Sequence, residues 1–206
     1  MGVAERKTRE RKALREEILD AARQIFVTEG YDGVSMRRVA EKIEYSPTTI
    51  YLYFKDKSDL MYEICQETFA KLRRSLEAIQ QEGGDPLSQL RRGLRAYVDF
   101  GLKHPQHYIA TFIMPHERPN EKDLARHHAS DSEGMKAFGF LRAGVQAAVD
   151  ANQIQGDVDT ITRGLWATIH GITSLLIVQP DFPWGDRNKV IDFTIDSLLA
   201  GLGGRQ

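Results

Sequence analysis

Apolar positions recur along this chain at intervals of three and four, and no sustained alternation of apolar and polar residues interrupts them. Leu14, Ile18, Ala21, Ala22, Ile25 and Phe26 share one side of a first helix, expected from about residue 8 to Glu29, where Gly30 stops it. Ser35 precedes "MRRVAEKI", a short second helix with Val39 and Ile43 facing inward. Ser46 then stands as N-cap, with Pro47 at the first position of a third helix. Tyr45 and Ile50 are spaced to form a hydrophobic staple across that cap. Ser58 is expected to cap a long fourth helix that ends near "QEGGD", and Asp85 and Pro86 open a fifth. "PQHYIATFIM" reads as a sixth that Pro115 stops, and the polar, aperiodic "PHERPNEKDLARHHASDSEG" reads as a loop. "MKAFGFLRAGVQAAVDAN", "DVDTITRGLWATIHGITSLLIV" and "NKVIDFTIDSLLAGL" follow. The pattern predicts an all-α protein of about nine helices in two parts, residues 1–55 and 56–206.

The third helix carries the first functional signal. On a helical wheel Ile50 and Phe54 share one side, while Thr48 and Leu52 point nearly the opposite way with Thr49 beside them. Tyr51 and Tyr53 flank that outward face. Threonine and leucine methyls can touch thymine in a major groove, and phenolic hydroxyls can reach phosphates. A short helix, a brief turn and a second short helix of this kind make a helix-turn-helix.

Charge matters here only locally, because 28 basic against 29 acidic residues leave a net charge of −1. Residues 1–15 hold Arg6, Lys7, Arg9, Arg11, Lys12 and Arg15 against Glu5 and Glu10. Arg37, Arg38, Lys42, Lys55 and Lys57 form a second basic set around helices two and three, and such groups make phosphate binding salt-dependent.

The span "ILDAARQIFVTEGYDGVSMRRVAEKIEYSPTTIYLYFKDKSDL" resembles the DNA-binding domain of the TetR family of transcriptional regulators. The resemblance rests on the hinge "EGYDGVS", on Ser35 opening helix two, and on the exit "IYLYFKDK". It implies that Ser35, Tyr51 and Lys57 bind phosphates and that Thr48, Thr49 and Tyr53 face bases or adjacent backbone. With Arg37, Arg38, Ser46, Leu52 and Lys55, these residues make up the expected DNA-binding surface. Glu44 and Thr48 depart from the family, which commonly has glycine at both places.

In such proteins the remaining helices bind an effector and form a dimer. Gly164, Thr168, Gly171 and Leu175 make one stripe of the "ITRGLWATIHGITSLLIV" helix, and Trp166, His170, Thr173 and Ile177 make the opposite one. A helix apolar all round must be covered on both sides. The first stripe, with Val190, Phe193 and Leu198 of the last helix, is the expected dimer interface. "WATIHG" also resembles a Trp-x-x-x-His-Gly signature of one TetR subgroup. Tyr97, Phe100, Tyr108, Phe112, Met114, Phe138, Leu141, Trp166 and His170 are the candidate lining of a pocket for a small apolar or amphipathic effector. The expected partners are therefore a palindromic double-stranded DNA operator, that effector and a second copy of the chain.

Other classes find less in the sequence. It has no Gly-rich phosphate loop, zinc-spaced Cys or His pair, or nucleophile elbow, so neither an enzyme nor a cofactor is expected. His104, His107, His116, His127 and His128 lie close in sequence, but the adjacent pair cannot face one helix-borne metal site. The lone Cys65 excludes an internal disulfide and fits a reducing compartment. No unbroken apolar run reaches the roughly 18 residues of a membrane span, and the N-terminal stretch lacks a signal-peptide core. A cytoplasmic regulator is expected; the alternative is an all-helical protein-interaction module.

Overall fold

The computed structural model describes residues 2–113, 125, 129 and 131–203. Met114 and most of the polar loop after it lie outside the described residues. Two compact units divide the chain, Met1–Glu67 with Gln106–Leu124 and Thr68–Pro105 with Ala125–Gln206.

In the first unit, α1 runs Val3–Gly33 and is interrupted at Gly30 (φ 74°, ψ −174°), a conformation open to a residue without a β-carbon. It begins well before the expected residue 8. Positions 4–13 are exposed, so this early stretch rests on local terms. Ala, Glu, Arg and Lys are strong helix formers, Glu5 accepts the Gly2 N–H at 3.0 Å, and Arg6 pairs with Glu10 at 3.5 Å. From Ile18 onward the helix buries Ile18, Leu19, Ala22, Ile25 and Phe26 in one core with Val39, Ala40, Ile50, Phe54, Leu60 and Ile64. Each large apolar side chain so buried contributes about 1.5–3 kcal/mol.

The helix α2 (Met36–Lys42) is capped by Ser35, whose hydroxyl accepts the Arg38 N–H at 3.2 Å. It closes through Tyr45 N–H to Ala40 O at 3.0 Å and Glu44 N–H to Glu41 O at 3.3 Å, with Glu44 at φ 59°. That pair of bonds around a left-handed residue is the Schellman closure. A short turn leads to α3 (Pro47–Tyr51), capped by Ser46 with Pro47 at its start. The fourth helix, α4, spans Lys57–Gln81. Its N-terminal cap is Asp56, whose carboxylate accepts the Asp59 N–H at 2.8 Å, and not the expected Ser58, which lies one residue inside the helix. The expected sixth helix is a single α-turn, α6 (Pro105–Tyr108), widening into a π-helix at Ile109–Ile113. Within this unit Tyr108 is buried, and the Thr111 hydroxyl donates to the sulfur of buried Cys65 at 3.6 Å.

In the second unit α5 (Pro86–Lys103) packs against α7 (Glu133–Asp150), α8 (Val158–Val178) and α9 (Arg187–Leu202). Asp85, Ser132, Asp157 and Asp186 cap these four helices in turn. Leu90, Leu94, Val98, Val145, Leu165, Ile169, Leu176, Ile191 and Ile195 are buried. Thr162 and Thr173 are buried too, and each hydroxyl donates to a carbonyl one turn back in α8, at 2.7 and 2.6 Å. Arg91 grips Asp196 at 2.6 and 3.0 Å, and Arg95 reaches Asp192 at 3.1 Å and Asn188 at 2.6 Å, tying α5 to α9.

One expectation for α8 is corrected. The buried face of Ile161, Leu165, Ile169, Thr173 and Leu176 takes only Thr173 from the anticipated stripes and otherwise runs between them, leaving Trp166 39% exposed. By length and composition alone α8 is also apolar enough to cross a membrane. Its threonines, glycines and histidine still break every apolar run, and the core helix of a folded domain meets the same measure of length and composition.

Candidate nucleic-acid interface

Helix α3 has two unlike sides. Ile50 and Phe54 are 0% and 1% exposed, while Tyr51 and Leu52 are 55% and 70% exposed. Thr48 is exposed beside them. The Ser46 and Thr49 hydroxyls lie 2.9 Å apart, and Ser46 also accepts the Thr49 N–H at 3.2 Å. This N-terminal turn is therefore held by its own side chains. Tyr45 is 45% exposed, so the expected staple to Ile50 covers part of its ring at most and leaves the rest in the outward set.

The surrounding cations fall into distinct settings. Lys57 Nζ stands 3.7 Å from the centre of the Tyr31 ring, which holds the ammonium without cancelling its charge. Arg37 makes an exposed pair with Glu41 at 3.0 Å, one turn on along α2. Arg38 is committed elsewhere: it grips both oxygens of Glu29 and donates to Gly33 O at 3.1 Å. That charge-assisted bond holds the Glu29 carboxyl below its ordinary value and raises Arg38. Arg38 so fastens α2 to both sides of the Gly30 break. Lys42 and Lys55 are exposed, and Ser35 is half-buried at its cap.

Sequence reasoning missed two supports. Arg11 lies over the Tyr53 ring at 5.8 Å, and Arg15 over Phe54 at 5.2 Å while pairing with Glu63 at 2.7 Å. These contacts join residues about forty positions apart, and local periodicity carries no signal for them.

The candidate effector residues fall in both units. In the second, Tyr97 Oη lies 3.4 Å from His170 Nδ1, and Ser174 Oγ lies 3.4 Å from His170 Nε2. The Trp166 ring is 5.9 Å from His170 and meets Phe138 edge-on at 6.1 Å. Burial lowers the His170 pKa, favouring neutral imidazole. Phe100 packs near His104, with ring centres 5.0 Å apart, and Leu141 is half-buried. Tyr108 and Phe112, with ring centres 4.8 Å apart, belong to the first unit, and Met114 lies outside the described residues.

The residues expected to meet a second copy lie on α8 and α9. Phe193 and Leu175 are 73% and 49% exposed, with Val178 and Phe182 also outward. A β-carbon added at Gly164 or Gly171 would touch nothing within 4 Å. Thr168, Val190 and Leu198 are half-buried.

Comparison with known proteins follows the same division. Residues 18–64 match the profile described as "Bacterial regulatory proteins, tetR family". Residues 90–198 match "Tetracyclin repressor-like, C-terminal domain". The HTH-type transcriptional regulator AcrR of Shigella flexneri is 34% identical over 158 residues, covering 75% of this chain and 74% of that protein. YobS of Bacillus subtilis, an uncharacterized HTH-type transcriptional regulator, is 25% identical over 186 residues, 90% of each chain. Among solved structures, FadR from Bacillus subtilis in complex with stearoyl-CoA shares the fold with a TM-score of 0.75, at 18% identity over 90% of this chain and 98% of that one. With both parts matched and the outward face of α3 displayed between firm caps, the chain belongs to the TetR family of helix-turn-helix transcriptional regulators.

Proposed function

We propose that this regulator is a cytoplasmic repressor that binds a palindromic operator as a homodimer and is released by a small apolar or amphipathic effector. Residues 1–55 read DNA; residues 56–206 hold the effector and pair the subunits. The two-sidedness of α3 carries the reading. Leu52, 70% exposed, gains nothing by standing in water, yet beside Thr48 and the Tyr51 hydroxyl it suits thymine methyls and phosphate oxygens. Ser35, Tyr51 and Lys57 take phosphates, while Thr48, Thr49 and Tyr53 face base edges or the adjacent backbone.

The outward apolar residues of α8 and α9 support pairing, since Phe193 is 73% exposed in a single chain. A two-fold axis repeats the reading helix, as a palindrome repeats its half-site. For the effector, Phe138, Trp166 and Tyr97 offer aromatic surface around one neutral polar anchor, His170. The stearoyl-CoA bound by the Bacillus subtilis FadR, whose fold this chain shares, is a ligand of the amphipathic class proposed. Effector and operator then oppose each other by one reciprocal coupling free energy.

The test is fluorescence anisotropy on operator candidates from upstream of the adjacent gene and on random duplex, across a salt series. Lys57→Ala and Tyr51→Ala should weaken both duplexes alike, with the salt slope falling by about 0.9 for each phosphate no longer engaged. Thr48→Ala should change the ranking of operator variants. Long-chain acyl-CoA should release the operator. A flat salt slope with no duplex binding would instead favour a protein-interaction module that uses the exposed face of α3.

A further inference from the structure

One row of α1 side chains continues past the end of the core it helps to build. Traced by fours toward the N-terminus from the buried Leu19, the row reads Arg15, Arg11, Lys7, and so keeps to the side of the helix that packs inward. Its members change character in order. Arg15 is pinned by Glu63 at 2.7 Å and by the Phe54 ring. Arg11 lies over the ring of Tyr53, just beyond α3. Lys7 is exposed, and neither it nor Arg11 has a carboxylate partner among the described residues. Arg6, on another side, is paired with Glu10.

An aromatic face differs from a carboxylate as a partner. It orients a guanidinium and leaves the full positive charge available to a second, anionic ligand. The helical backbone supporting the row has no burial to justify it over positions 4–13, which are exposed. We infer that Lys7 and Arg11 form a basic ridge that takes the phosphate backbone of duplex DNA next to the stretch bound by α3, with Tyr53 as the platform that aims Arg11. This rests on the reading of α3 as the DNA-facing helix. It adds a phosphate-binding element carried by α1 itself, outside the helix-turn-helix.

The experiment compares two double variants of the full chain that remove the same charge. Lys7→Gln/Arg11→Gln removes the ridge, and Arg6→Gln/Arg9→Gln removes two cations from other sides of the same helix. Binding to operator and to random duplex is measured across a salt series, with circular dichroism to confirm unchanged helicity. The ridge variant should lower the salt slope by about 1.8, or 0.9 for each of two phosphates, and weaken both duplexes equally. The other pair should change the slope by much less. Should the double variant lose helicity, Lys7→Gln alone serves, with an expected fall of about 0.9. A wild-type slope in the ridge variant, while wild-type protein binds steeply, overturns the ridge and leaves the α3 reading standing. An equal fall in slope from both pairs also overturns it, because the effect is then diffuse charge. Absence of salt-dependent binding by the wild-type protein overturns both readings.

Discussion

Glu44 occupies a backbone conformation that most side chains avoid. At φ 59° its β-carbon crowds the chain, a strain of roughly 1–2 kcal/mol, and the Schellman closure of α2 demands it. Family members commonly carry glycine there, so the oddity was visible in the sequence while its geometry was not. Glu44→Gly relieves the strain but frees the unfolded chain by about 0.5–1 kcal/mol. The net expectation is a gain of roughly 0–1.5 kcal/mol, read as a higher urea midpoint at unchanged m-value. His170 gives a pH signature. Its pKa is lowered from the ordinary 6.5 by burial, so below that pH the unfolded chain holds more protons than the folded one. The stability present above about pH 6.5 is therefore lost as pH falls. The urea midpoint should drop between about pH 7.5 and 5.5, and less so in His170→Asn; His104, lowered for the same first reason, keeps its share in both proteins. Residue roles read well where they are local, as with the caps Ser35, Ser46 and Asp85. Arg38 was legible as a cation but not as the partner of Glu29, because that pairing exists only once Gly30 has bent the chain.

Helices differ in how much of their setting their own sequence reveals. The inward faces of α1, α2 and α3 follow from periodicity, since each has one apolar side and one polar side. The face of α8 does not, because it is apolar nearly all round and several rotations bury similar surface; packing on α5 and α7 selects one. The start of α4 was misplaced by two residues: Ser58 has a capping side chain, but the backbone path puts Asp56 at the cap, where its carboxylate takes the Asp59 N–H. At this scale the α5–α9 junction is open to measurement. Arg91 and Asp196 are 39% and 54% exposed, so solvent screening keeps the pair weak. A double-mutant cycle with Arg91→Ala and Asp196→Ala should return a small favourable coupling that shrinks with added salt. Asp192, shared between Arg91 and Arg95, makes Arg91→Ala the costlier single change.

The all-helical class of the molecule was plain from the spacing of its apolar residues. That residues 106–113 join the first unit was not, because a return of this kind is a long-range contact. Pairing of two chains is the molecular-scale expectation. Phe193→Asp alters a side chain 73% exposed in one chain, so helicity should be kept. Sedimentation should shift from dimer to monomer, operator affinity should fall, and the melting temperature should lose its dependence on protein concentration. Cys65 makes motion within the proposed dimer measurable. It is the single cysteine of the chain, 2% exposed, with its thiol pushed up to about 11 by burial. Only the thiolate attacks a thiol-directed reagent, so this buried, protonated sulfur should stay silent at neutral pH. A cysteine introduced at Leu52 would then accept one spin label per subunit while Cys65 stays in place, and the interval between the two labels could be followed as ligand is added.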